Sequence, residues 1–106
     1  MEFIETSFFT RRLLALMTDE DYGMLQNLLR KNPERGDIIT GGGGIRKIRW
    51  RIVGRGKRGG ARIIYYWETH RDIILMLAVY SKAEKQDVTA EQLRVMRRVV
   101  EAEFYG

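Results

Sequence analysis

The stretch from Arg46 to Trp67 constrains the fold of this chain more than any other. Its ends, "RKIRWRIV" and "ARIIYYW", are rich in β-branched and aromatic residues, and the glycine-rich "GRGKRGG" of residues 54–60 separates them. In the first segment Ile48, Trp50 and Ile52 alternate with Lys47, Arg49 and Arg51. A period of two suits a strand and not a helix. It predicts a half-buried strand whose exposed face is wholly cationic. The glycines allow a tight reversal, so the two segments are expected to pair antiparallel as a hairpin. Arg62, Ile64 and Tyr66 share one face of the second strand, while Tyr65 and Trp67 fall with Ile63 and are expected in the core. If the register joins the polar faces, Lys47, Arg49, Arg62 and Tyr66 converge, with Lys57 overhead.

The flanking sequence adds helices and further strands. "EFIET" reads as a short edge strand or an extended lead-in. From Ser7, the residues Phe8, Phe9, Leu13, Leu14, Leu16 and Met17 have the spacing of an amphipathic helix. Thr18 to Asp21 has the form of a capping box and opens a second helix with Tyr22, Leu25, Leu28 and Leu29 as its stripe, closed by Asn32-Pro33. So short a connection predicts a helical hairpin. After the turn "ETHRD", residues 73–81 ("IILMLAVYS") are nearly continuous in apolar residues and read as the central strand. Thr89 to Gln92 is another capping-box pattern, and the helix behind it is expected to bury Leu93, Met96, Val99, Val100 and Phe104. The expectation is an α+β domain over 1–106: an N-terminal helical hairpin, an antiparallel sheet of three to four strands and a C-terminal helix, with the helices on one side.

Charge is concentrated. No acidic residue occurs from Ile38 to Trp67, while Arg46, Lys47, Arg49, Arg51, Arg55, Lys57, Arg58 and Arg62 do. That window carries +8 and the rest of the chain −3, for a net +5. Such polarity predicts a polyanionic partner met by one patch, against the plainer reading of a solvated, self-repelling surface. The lack of cysteine excludes disulfides, thiolate nucleophiles and Cys-ligated zinc, and fits a reducing cytosol. The start of the chain does not read as a signal peptide, because Glu2 and Glu5 replace a basic n-region and Arg11 and Arg12 break the apolar stretch. The apolar run Ile73 to Tyr80 is far shorter than the ~20 residues of a membrane-spanning helix. A soluble, cytoplasmic protein is expected.

Familiar catalytic patterns are excluded in turn. "GRGKRGG" fits G-x-G-x-x-G formally, but it lies between two strands, where no helix N-terminus meets a pyrophosphate. A Walker A loop also fails, since Arg58 stands where Ser or Thr must bind magnesium. His70, the only histidine, falls in a turn and reads as exposed. No paired histidines or clustered carboxylates suggest a metal, and no cofactor is expected. Cations, tyrosines and backbone remain. These suffice for cleaving RNA, which carries its own nucleophile in the 2′-hydroxyl. The enzyme must align it with the adjacent phosphate, deprotonate it and neutralise the charge that builds. A lysine crowded by cations has a lowered pKa and can act as base, and an aromatic ring can stack on a displaced nucleobase.

"GDIITGGGGIRKIRWRIVGRGKRGGARIIYYW" followed by "LMLAVYSKAEKQDVTAEQL" resembles the RelE-like toxins of bacterial toxin–antitoxin modules, closest to the HigB branch of the RelE/ParE superfamily. "GKRGG-R-IYY" and then "Y-K-E--D-T" is the combination that carries the likeness. It implies a RelE fold and an mRNA endonuclease that works in the ribosomal A site without a metal. A cognate antitoxin, in this branch typically a helix-turn-helix DNA-binding protein, would neutralise it, and operator DNA would be met only through that antitoxin. By position the likeness implies catalytic roles for Lys47, Arg49, Arg62 and Lys82, to which Lys57 is added from the hairpin tip. Arg46, Arg51, Arg55, Arg58, Tyr66 and Lys85 are expected to contact RNA. The best-studied members carry an arginine and a tyrosine beyond the last strand, where this chain has Ala83 and Thr89. The base and stacking roles are thereby left open among Lys57, Arg58, Tyr66 and Lys85. A gyrase-poisoning ParE-type toxin and a non-catalytic nucleic-acid-binding relative share the fold and remain alternatives.

Overall fold

A computed structural model describes residues 1–51, 60–84 and 87–106. The order is β1 (Glu2–Glu5), α1 (Ser7–Leu16), α2 (Asp19–Lys31), β2 (Asp37–Ile38), β3 (Arg46–Trp50), β4 (Ala61–Glu68), β5 (Ile73–Ser81) and α3 (Ala90–Phe104). The class is α+β. Both capping boxes form: the hydroxyl of Thr18 accepts from Asp21 N–H and that of Thr89 from Gln92 N–H, and each partner side chain accepts from the cap's own N–H. No helix among the described residues is long and apolar enough to cross a membrane.

The strands form one five-stranded sheet in the order β1-β5-β4-β3-β2. It is mixed and not purely antiparallel, because β1 runs parallel to β5. The short strand β2 falls where the sequence reads as loop, and β4, not β5, is the middle strand, although β5 is buried on both faces. Helices lie on both faces, which corrects the one-sided expectation. On one face α1 and α2 bury Phe9, Leu13, Leu25 and Leu29 against Ile48, Ile63, Tyr65 and Val79. They meet each other through Phe9 and Tyr22, with ring centres 5.8 Å apart. On the other face α3 lays Leu93, Val100 and Phe104 over Ile45, Ile64, Leu75, Leu77 and Tyr80. Val99, expected in that core, is 36% exposed.

A bulge in β5 sets which residues face α3. Ile64 pairs with Ala78 and Tyr65 with Met76, so Leu77 is the extra residue. Leu77 and Ala78 both join the α3 side, and the alternation restarts with Val79 on one face and Tyr80 on the other. The Thr6 hydroxyl, N-cap of α1, accepts from Phe9 N–H (3.0 Å) and donates to the Leu77 carbonyl (2.9 Å). The bulge and the start of α1 are thereby tied together. His70 lies exposed in the turn after β4, whose backbone Glu68 holds by accepting from His70 N–H (2.9 Å) and Arg71 N–H (3.0 Å).

Candidate functional site

Lys47 and Arg49 share the α3-facing side of β3, and the register decides their neighbours. Arg49 stands directly opposite Arg62, and Arg62 directly opposite Tyr80. Lys47 is opposite Ile64, two positions along the same face. Residues paired in this way have Cβ atoms roughly 4.5–5.5 Å apart, and like charges so placed repel. Among the described residues neither Arg49 nor Arg62 takes part in an ion pair. The face therefore holds uncompensated positive charge at the rim of the α3 core. It is not the fully open cationic face expected of β3: Arg49 is exposed, but Lys47 is left only 22% exposed.

The next positions extend this rim. Arg51, exposed, follows β3 directly. Lys82, also exposed, donates its N–H to the Gly60 carbonyl (3.2 Å), which carries the β4–β5 ladder two steps beyond Arg62 and Tyr80. Gly60 has φ +104, and a Cβ there would lie 2.3 Å from the Trp50 carbonyl oxygen. Only glycine lets β3 and β4 approach this closely at the point where Arg51 and Lys82 emerge. The turn after β5 is held by Glu84, which accepts from Ser81 N–H (3.0 Å) and pairs with Arg12 of α1. The hydrogen bond from Arg12, with that from Ser81, holds the Glu84 carboxyl below its ordinary value, so it is ionised and the turn is fixed at neutral pH.

Two expected site residues lie elsewhere. Arg46 is on the opposite face, where its guanidinium donates to the carbonyls of Gly36 (2.8 Å) and Glu34 (3.1 Å) and clamps the turn before β2. Tyr66 shares the face but sits at the far end of β4. Its ring packs on Phe104 (5.9 Å) and its hydroxyl bonds Tyr105 Oη at 2.8 Å. Burial, with the Tyr105 bond, pushes its pKa up to about 12. It is thus held protonated against α3 and away from Arg62. Lys57, Arg55, Arg58 and Lys85 lie outside the described residues.

Two residues join the site that the sequence did not single out. Tyr80 closes the row Arg49–Arg62–Tyr80. Burial raises its pKa, the charge of Asp87 adds to the rise and that of Arg62 opposes it. Both charges are therefore felt at the hydroxyl. Asp87 brings a carboxylate into the cationic rim, with Oδ1 3.2 Å from Lys47 Nζ. The continuous apolar run of β5 concealed Tyr80, and Asp87 is forty residues from Lys47 in sequence.

A groove of about 730 Å³ opens beside the site between α1 and α3, over β5. Phe8, Leu77, Val95 and Val99 make it apolar, and Tyr80 of the Arg49–Arg62–Tyr80 row lines it. Among the described residues no group of three or more His, Asp or Glu side chains is placed to hold a metal ion. No protein-family model matches the chain. The chemistry open to this rim is that of an anion-binding surface: guanidinium and ammonium donors in a row, a buried phenol beneath them and one carboxylate at the side.

Proposed function

We propose that this chain is the toxin of a type II toxin–antitoxin module, a RelE-like mRNA endonuclease that cuts in the ribosomal A site and is neutralised by a cognate antitoxin. The observation that carries this reading is the direct pairing of Arg49 with Arg62, without an ion pair to either among the described residues, on the face that also bears Lys47. Like charges placed opposite each other on a sheet destabilise it by roughly 0.2–1 kcal/mol, a cost that a bound polyanion turns into affinity. The likeness of the β3–β4 segment to the HigB branch supports the same reading.

In the proposed reaction the 2′-oxygen bonds to the adjacent phosphorus and the bond to the 5′-oxygen breaks. The products are a 2′,3′-cyclic phosphate and a 5′-hydroxyl. One proton leaves the 2′-hydroxyl and one reaches the departing oxygen. Arg49 and Arg62 offer a fork of N–H donors to the non-bridging oxygens as their charge grows, the kind of stabilisation that contributes most when it is preorganised. Lys82 approaches the same phosphate from the turn beyond β5. Tyr80, held protonated by burial, supports the Arg62 side of the row.

The test is primer extension on an mRNA in a reconstituted translation mixture. Wild-type protein is expected to produce cuts within A-site codons. Arg49→Ala and Arg62→Ala should lose them by two or more orders of magnitude, which is about 3 kcal/mol of transition-state stabilisation. Circular dichroism would confirm that both variants fold. Intact mRNA with wild-type protein, together with trapped gyrase–DNA complexes, would replace this reading with the gyrase-poison alternative.

A further inference from the structure

We infer that Asp87 is a built-in competitor for the RNA backbone, occupying Lys47 in the free protein and giving it up to a phosphate when RNA binds. The inference rests on the reading of this face as an RNA-binding surface and adds a regulatory contact to it.

Along the chain, no acid interrupts the basic window from Ile38 to Trp67. The fold supplies one from outside. Asp87, in the segment that leads into α3, places Oδ1 3.2 Å from Lys47 Nζ. The same oxygen accepts from Val88 N–H at 2.9 Å, so the carboxylate is aimed by its own backbone. A carboxylate oxygen on an ammonium group stands where a phosphate oxygen would stand. The arrangement is selective: Lys47 has this partner, while Arg49 and Arg62 on the same face have no ion pair among the described residues. A polyanion can thus engage the two arginines first and reach Lys47 only by displacing Asp87.

The contact has the strength expected of a displaceable one. The Asp87 side chain is 70% exposed, and exposed ion pairs shift an equilibrium by at most about fivefold. A phosphate held at the same time by neighbouring arginines exceeds that.

The test uses anisotropy of a fluorescein-labelled 20-mer of 2′-O-methyl-uridylate, which binds but cannot be cut. Four full-length proteins are compared at fixed salt: wild type, Asp87→Asn, Lys47→Ala and the double variant. Asparagine keeps an oxygen for Val88 N–H and removes only the charge. Asp87→Asn is expected to tighten binding roughly two- to fivefold. In the Lys47→Ala background the same change should give less than about half of that gain, because the competition is for Lys47. Unchanged or weaker binding by Asp87→Asn would overturn the inference. So would an equal gain with and without Lys47, which would make Asp87 a contributor to the general field only. In both cases the face still binds RNA and the functional reading stands. If none of the four proteins binds, the RNA reading falls and this inference with it.

Discussion

The Tyr65 hydroxyl donates to the Pro33 carbonyl at 2.7 Å and accepts from Gly36 N–H at 2.8 Å, from a side chain with no solvent exposure. Burial raises its pKa against the lowering effect of Gly36 N–H, so it stays a donor at neutral pH. Tyr65→Phe keeps the ring and leaves a buried N–H and a carbonyl without that partner. Stability should fall by about 1–3 kcal/mol, read as a lower urea midpoint at unchanged slope; a change under ~0.5 kcal/mol would mean the turn before β2 finds other partners. Arg46 clamps the same turn from its side chain. At this scale alternation was a sound guide: it put Tyr65 with Ile63, and the same phase puts Arg46 with Ile48. The place of Arg46 is thus a matter of phase, which its charge does not reveal.

At the scale of elements, the helices were readable because each keeps one apolar stripe and two of them, α2 and α3, begin with a capping box. Which way the side chains of a strand face was readable only where one face is polar. In β3 the Lys47–Arg49 alternation fixes the phase, whereas β5 is apolar on both faces and carries a bulge at Leu77. Its phase, and with it Tyr80 beside Arg62, is set by pairing and by the Thr6 cap, neither of which leaves a local signature. The placement of α3 opposite α1 and α2 was hidden for the same reason: a strand buried on both faces needs cover on both, but its sequence does not say which helix provides it. The junction of β3 and β4 depends on Gly60 in a way that can be measured. Gly60→Ala must place a Cβ 2.3 Å from a backbone oxygen at φ +104, while Gly41→Ala meets open space at φ +80. Gly60→Ala should therefore cost about 2 kcal/mol or more in urea unfolding, and Gly41→Ala about half as much. Equal losses would show that backbone conformation, and not the close approach of β3, makes glycine necessary at 60.

Taken as a whole, the molecule concentrates +8 in a window whose surroundings carry −3, but the fold does not deliver that charge to one place. Lys47, Arg49 and Arg62 go to the α3-side rim, and Arg46 goes to the other face to hold a turn. Salt dependence separates these roles. Each phosphate neutralised on a single strand contributes about −0.7 to the slope of log K against log salt, whereas a change in general field moves affinity with little regard to position. Arg49→Ala and Arg62→Ala should each make the slope for a single-stranded RNA shallower by about 0.7 and weaken binding most at low salt. Arg46→Ala should leave the slope unchanged while lowering stability, since its guanidinium is already committed to the carbonyls of Glu34 and Gly36. If all three variants shallowed the slope alike, the whole basic window would act as a diffuse attractor, and the paired arginines would have no privileged place in it. A difference between Arg46 and Arg49, three residues apart and of identical charge, can come only from the face of the sheet on which each is held.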